Sequence, residues 1–226
     1  MRKIVVVNPK GGSGKTTIAT NLASYYASRG EHPTLIDYDP QGSSMHWIAS
    51  RDPALPKVHG IAAFQNRMDV TRAFQLRLPP ECRRVIVDSP AGFSPAEMRE
   101  VTRDTEKVLM PVLPSKFDTH AASRSIADLL LVAKLDRRKK QLGIVANRTR
   151  QNTRYFETLM RFLSSLDIPV ATVLRDSQAY VRASENGMGL FDLKAHERAK
   201  ERPAWAELFE FLDVPTPLSE KVATPV

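Results

Sequence analysis

The 226-residue sequence has a single cysteine, Cys82, which rules out an intrachain disulfide or a cysteine-built zinc or iron–sulfur site and fits a reducing cytoplasm. Its five histidines show no metal-ligand spacing. No apolar run approaches the roughly 20 residues of a bilayer span. Met1–Lys10 holds only a short apolar stretch before polar residues resume, so neither secretion nor membrane spanning is expected. Aromatics are sparse at 7%, yet 42% hydrophobic and 26% charged residues are ordinary for a globular chain, and the length suits one domain. What is in excess is positive charge: 33 Lys and Arg against 25 Asp and Glu give a net +8, which attracts polyanions such as nucleic acid and nucleotides.

Short, continuously apolar runs recur at Ile4–Val7, Thr34–Ile36, Val85–Val87, Val108–Val112, Gly143–Ala146 and Ala171–Leu174. Continuous rather than alternating runs mean burial on both faces, hence a mostly parallel sheet with helices on either side, an α/β architecture. Helical patterning covers Thr16 to about Arg29, Ala121–Ala133 and Tyr155–Leu166, and Ser94-Pro95-Ala96-Glu97 has the form of a capping box that starts another helix. Arg51–Gly60, with its prolines, reads as a surface loop or an insertion. Trp205–Leu212 is amphipathic with acids on its polar side and is expected to dock on the core of the domain. The domain is placed at 1–212, followed by a flexible tail at 213–226 with prolines at 215, 217 and 225.

Between the first strand and first helix lies Asn8-Pro9-Lys10-Gly11-Gly12-Ser13-Gly14-Lys15-Thr16-Thr17. A phosphate cradle requires glycines there so that backbone N–H groups can turn inward, and the helix N-terminus adds positive potential. In such a loop Lys15 reaches the β- and γ-phosphates and the Thr16 hydroxyl holds Mg²⁺. The strict G-x-x-x-x-G-K-[ST] pattern is broken by Pro9. The segment K-G-G-x-G-K-T-T, with its additional Lys10, resembles the deviant phosphate loop of the ParA/MinD family of P-loop ATPases. That resemblance implies a single-domain P-loop NTPase fold binding ATP and Mg²⁺ through Lys10, Gly11, Gly12, Ser13, Gly14, Lys15, Thr16 and Thr17. It also implies a face-to-face homodimer in the ATP state, with Lys10 reaching the partner's phosphates.

Leu35-Ile36-Asp37-Tyr38-Asp39-Pro40-Gln41-Gly42 is similar to the family's D-x-D-P-Q-G segment, which implies Asp37 near the Mg²⁺ and Asp39 positioning the attacking water. Taken alone, either aspartate also reads as a helix cap or turn residue. Asp88, closing Val85-Ile86-Val87, has the form of a second metal-binding carboxylate. Asn147 resembles the family's adenine contact and equally suits a strand-ending turn. Because Arg150 stands where a guanine-reading carboxylate would, ATP is favoured over GTP. Arg137-Arg138-Lys139-Lys140 reads either as a solvated face or as part of a basic surface. The family's non-specific, nucleoid DNA binding makes Arg150, Arg154, Arg175 and Arg182 the DNA-contact candidates, through phosphates rather than bases. The function implied is a ParA-like, partner-stimulated ATPase that positions or segregates a cargo, with no membrane contact expected. The alternatives are a MinD-like membrane-associated ATPase and a dethiobiotin-synthetase-type ligase.

Overall fold

The computed structural model describes residues 1–65, 71–92, 94–135 and 141–213. Seven strands, β1 (Arg2–Val6), β2 (Thr34–Asp37), β3 (His59–Ala62), β4 (Arg84–Asp88), β5 (Lys107–Val112), β6 (Leu142–Thr149) and β7 (Val170–Arg175), form one sheet in the order β3-β2-β4-β1-β5-β6-β7. Every strand pair is parallel. The chain runs from β1 outward to β3, returns to β4 and then crosses to β5, so β1 sits where the strand order reverses. Open α/β sheets bind ligands beyond the carboxyl ends of their strands at that point.

Alternating strand residues supply two separate cores. Val5, Val7, Val85, Val87, Val108 and Met110 face α4 (Pro95–Thr102), α5 (Lys116–Leu131) and α6 (Arg154–Ser164). Ile4, Val6, Ile86, Leu109 and Val145 face α1 (Lys15–Ser28), α2 (Ser43–Ala49), α7 (Gln178–Glu185) and α8 (Arg202–Asp213). The remaining α3 (Arg72–Gln75) is a single turn. This two-sided burial is why the strands read as unbroken apolar runs.

Three expectations need adjustment. The stretch read as a loop through Gly60 ends in β3, an edge strand whose His and Gly give it no strand signature. Gly60 packs closely against α2, since a Cβ there would lie 2.7 Å from Ile48 Cδ1 and the Ile48 side chain would have to shift. The loop itself is anchored: the buried Arg51 guanidinium pairs with both carboxylate oxygens of Asp192 at 2.7 and 2.9 Å, tying it to a 3-10 turn at Leu190–Asp192. The helix expected at Ala121–Ala133 starts earlier, at Lys116, capped by Ser115; the exposed Phe117 in its first turn interrupts the amphipathic pattern.

Trp205, Leu208, Phe209 and Leu212 of α8 are buried in the second core, as expected of a helix that docks on its own domain. Asp213, expected to open the tail, is the last residue of α8 and pairs with Arg84 at 3.3 Å; the rest of the expected tail, 214–226, and the run at 137–140 lie outside the described residues. Leu208 is fully buried, so Leu208→Ala should cost about 2–5 kcal/mol in a urea titration, from lost apolar burial together with the cavity it leaves; a change of a few tenths would mean that α8 is not part of the core.

Candidate nucleotide site

The phosphate loop leaves β1 at the centre of the sheet and turns into α1. Gly12 and Gly14 have φ of 73° and 94°, left-handed values that a side chain would strain. Gly14 has a second constraint, since a Cβ there would stand 2.2 Å from Asn147 Nδ2. α1 starts at Gly14 with no side-chain cap and no acid in its first turn, so the opening amides of a 14-residue helix are left for an anion. Around this loop lies a cleft of about 770 Å³, lined by Gly11, Gly12, Gly14, Lys15, Thr16 and Thr17 on one wall. The opposite wall carries Asp39–Gln41 and Ser43, with Pro90, Asn147, Arg148 and residues from Asp176 to Val181 completing it.

Thr16 Oγ1 donates to Asp88 Oδ2 at 2.7 Å, and Ser44 Oγ donates to the same oxygen at 2.8 Å. Asp88 Oδ1 is buried and has no hydrogen-bond partner among the described residues. Burial pushes the Asp88 carboxyl up to about 6, the Thr16 and Ser44 hydroxyls opposing the shift. A buried carboxylate oxygen with nothing to bind, beside a threonine hydroxyl at a phosphate loop, fits a magnesium ion that takes its other ligands from phosphate and water. Among the described residues no cluster of three or more His, Cys, Asp or Glu could hold a metal by itself.

Asp37 is paired in register with Asp88 across β2 and β4. Its oxygens are used by backbone amides: Oδ1 accepts from Asp39 N at 2.9 Å, and Oδ2 accepts from Ser44 N at 3.1 Å and Met45 N at 3.3 Å. The carboxylate therefore fastens the start of α2. Burial raises its pKa. Asp39 lies at the cleft wall, partly exposed, with one oxygen accepting from Gln41 N at 2.9 Å.

The two loop lysines are both occupied within the chain. Lys15 Nζ donates to Lys10 O at 3.2 Å, and burial lowers the Lys15 pKa against the attraction of Asp88 and Asp39. Lys10 Nζ, which the family resemblance sends toward a second subunit, pairs with Asp118 Oδ2 at 2.6 Å. Asn147 Nδ2 donates to Ser13 O at 2.8 Å, bracing the loop from the side where β6 bulges and Arg148 takes φ 50°.

The four DNA-contact candidates divide. Arg150 pairs with Asp176 at 2.9 Å and Arg175 with the buried Glu201 at 3.3 Å. Arg154 and Arg182 are exposed and have no acidic partner among the described residues. Four positions that shape the site were not singled out by the sequence motifs. Ser44 could have been read as a hydroxyl at the helix start after D-x-D-P-Q-G. Ser115 and Asp118 form an S-x-x-D helix start, a signal for a cap but not for a partner of Lys10. Asn8, whose Nδ2 donates to Pro111 O at 2.5 Å and whose Oδ1 accepts from Lys10 N, follows no motif.

The Asp88 shift sets a stability test. The folded protein holds the Asp88 proton up to about pH 6, whereas the unfolded chain releases it near 3.8. The stabilisation this proton brings is complete below the unfolded value and lost as pH rises through 6. Asp88→Asn keeps an acceptor for Thr16 and Ser44 without the charge. It should stabilise the nucleotide-free protein by roughly 2–3 kcal/mol at pH 7.5 and by almost nothing at pH 4, read by denaturant unfolding at both values. Equal effects at the two pH values would contradict the burial argument.

Residues 4–191 match the family described as the CobQ/CobB/MinD/ParA nucleotide binding domain. The chain is similar to the maintenance of carboxysome distribution protein A of Halothiobacillus neapolitanus, 29% identical over 201 residues that cover 87% of this chain and 89% of the relative. It is 30% identical to the chromosome-partitioning ATPase Soj of Thermus thermophilus over 171 residues, 64% of this chain and 68% of that one. Among solved structures, the fold is shared with an ATP complex of McdA from Cyanothece at a TM-score of 0.67 and 14% identity, covering 93% of this chain and 95% of the other. The parallel sheet with its reversal at β1, the glycine loop that feeds α1 and a match across most of the chain agree: the protein belongs to the CobQ/CobB/MinD/ParA nucleotide-binding domain family.

Proposed function

We propose that this chain is a ParA-like ATPase that pairs with a second copy when ATP is bound, holds non-specific DNA in that state, and releases it on hydrolysis stimulated by a cargo-bound partner. The observation that carries the reading is one cleft in which the uncapped start of α1, Lys15, Thr16 and Asp39 converge at the reversal point of the sheet. Loop amides and Lys15 hold the β- and γ-phosphates, and Asn147 keeps the loop in shape while lining the region open to the base. Asp39 orients a water in line with the γ-phosphate. Hydrolysis of this kind requires positioning and charge stabilisation more than covalent work from the protein. The Thr16 hydroxyl and the unpaired Asp88 oxygen would hold Mg²⁺, which would offset charge on the β- and γ-phosphates.

Lys10 serves the nucleotide of the second subunit, and pairing doubles the number of cations facing DNA, so that affinity for a polyanion follows the nucleotide state. Arg154 and Arg182 are the leading contacts because their charge is not already spent on an acid; Arg150 and Arg175 contribute at the same end of the sheet. The protein is then a cytoplasmic, nucleoid-associated one. Similarity along most of its length to a carboxysome distribution protein supports a large protein assembly as the cargo. A MinD-like membrane role would need a free amphipathic helix, and the apolar face of α8 is spent on the core.

A gel-shift titration with random-sequence duplex should show binding with a non-hydrolysable ATP analogue and little with ADP or no nucleotide, weakening steeply as salt is raised. Asp39→Ala should bind ATP and remain on DNA while losing most hydrolysis. Arg154→Glu and Arg182→Glu should weaken DNA binding by about tenfold each without affecting pairing. DNA binding indifferent to nucleotide, or binding to anionic vesicles in its place, would overturn the reading.

A further inference from the structure

The Lys10 ammonium is held at both ends of its residue. Its backbone N–H donates to Asn8 Oδ1 at 2.8 Å, and Asn8 in turn is fixed to the β5 carbonyl of Pro111. Its Nζ reaches the start of α5, 2.6 Å from Asp118 Oδ2. The Asp118 side chain is only 1% exposed, against 40% for Lys10. Ser115 Oγ donates to the same Asp118 oxygen and accepts from the Asp118 backbone amide, which fixes the carboxylate in the first turn of a 16-residue helix. Asp118 Oδ1 is buried with no partner among the described residues. Lys10 is therefore the counter-charge of a carboxylate that is almost wholly removed from water and already one bond short.

We propose that Asp118 is an intramolecular latch for Lys10: it holds the lysine in its own subunit until an ATP γ-phosphate on a second subunit draws it away. The inference rests on the reading that Lys10 serves the partner's nucleotide. An ammonium in a close pair with a buried carboxylate is not available to a phosphate across an interface, and releasing it strands the Asp118 charge in a site that water scarcely reaches, which is costly. Two latches open in each pairing event, so the opposing free energy counts twice in the dimer. ADP brings less negative charge to the interface and cannot offset that opposition; ATP can. The γ-phosphate supplies the differential affinity that shifts the monomer–dimer balance, and the latch sets the threshold that this attraction has to exceed. Asp118 is a positioning residue in this scheme, acting through Lys10 and touching no substrate.

Asp118→Asn keeps a side chain able to bond Ser115 and cap α5 while removing the charge. In sedimentation velocity at saturating Mg²⁺ and non-hydrolysable ATP analogue, the concentration at which this variant is half dimeric should fall by roughly tenfold relative to the parent chain. With ADP the variant should show dimer at concentrations where the parent shows none. Placed in a Lys10→Ala background, the same substitution should change nothing, because there is no lysine left to release. A midpoint unchanged or raised by Asp118→Asn, or an equal gain in the Lys10→Ala background, overturns the latch. Asp118→Ser, another capping residue without charge, takes its place if the asparagine variant does not fold. A parent chain that never pairs with the analogue would refute the dimer reading itself, whereas a parent that pairs with a midpoint unaffected by Asp118→Asn refutes the latch alone.

Discussion

A helix that begins without a cap leaves amides pointing at whatever lies in front of them, and the start of α1 is such a helix. Everything in the site is arranged around that opening. β1 aims it from the middle of the sheet, where β4 and β5 diverge, and the glycines keep side chains out of the space before it. Asn147 from β6 presses against Gly14 so closely that no Cβ would fit, which fixes the loop from the far side of the sheet as well. Asp88, at the end of β4, meets the first turn of the helix through Thr16. The anion that completes α1 is thus also the one that the neighbouring carboxylates and lysines are disposed to handle.

The charges at this end of the sheet are individually compensated and collectively under-satisfied. Lys15 rests on a carbonyl, Asp88 leaves one oxygen bare, Asp118 does the same, and Asp37 carries its charge against Asp88 in the adjacent strand. Burial disfavours the ionised forms of Lys15, Asp37 and Asp88 alike. Buried groups left short of partners cost stability, and a triphosphate with its cation is the kind of ligand that would relieve several of these shortfalls at once.

How much of this was legible in the sequence follows from the range over which each feature acts. The phosphate loop and Asp88 are local: glycines at fixed offsets and an apolar strand ending in an acid announce themselves without a partner. Asp37 is legible as an acid after a strand, but its capping of α2 depends on where Ser44 and Met45 amides point. β3 was hidden because an edge strand of four residues containing His and Gly carries no periodicity, and its pairing with β2 is a long-range fact. The Lys10–Asp118 pair joins residues 108 apart in sequence, brought together only because β5 lies beside β1. The arginines show the same limit, since Arg150 and Arg175 read as free cations until Asp176 and Glu201 are seen beside them.

The claim on which the account turns is that ATP joins two copies of the chain. Sedimentation equilibrium of the purified protein with Mg²⁺ and a non-hydrolysable ATP analogue, without DNA or any partner protein, tests it directly. The mass should be that of two chains with the analogue and of one chain with ADP; a single-chain mass at saturating analogue across the micromolar range would mean that ATP does not join them.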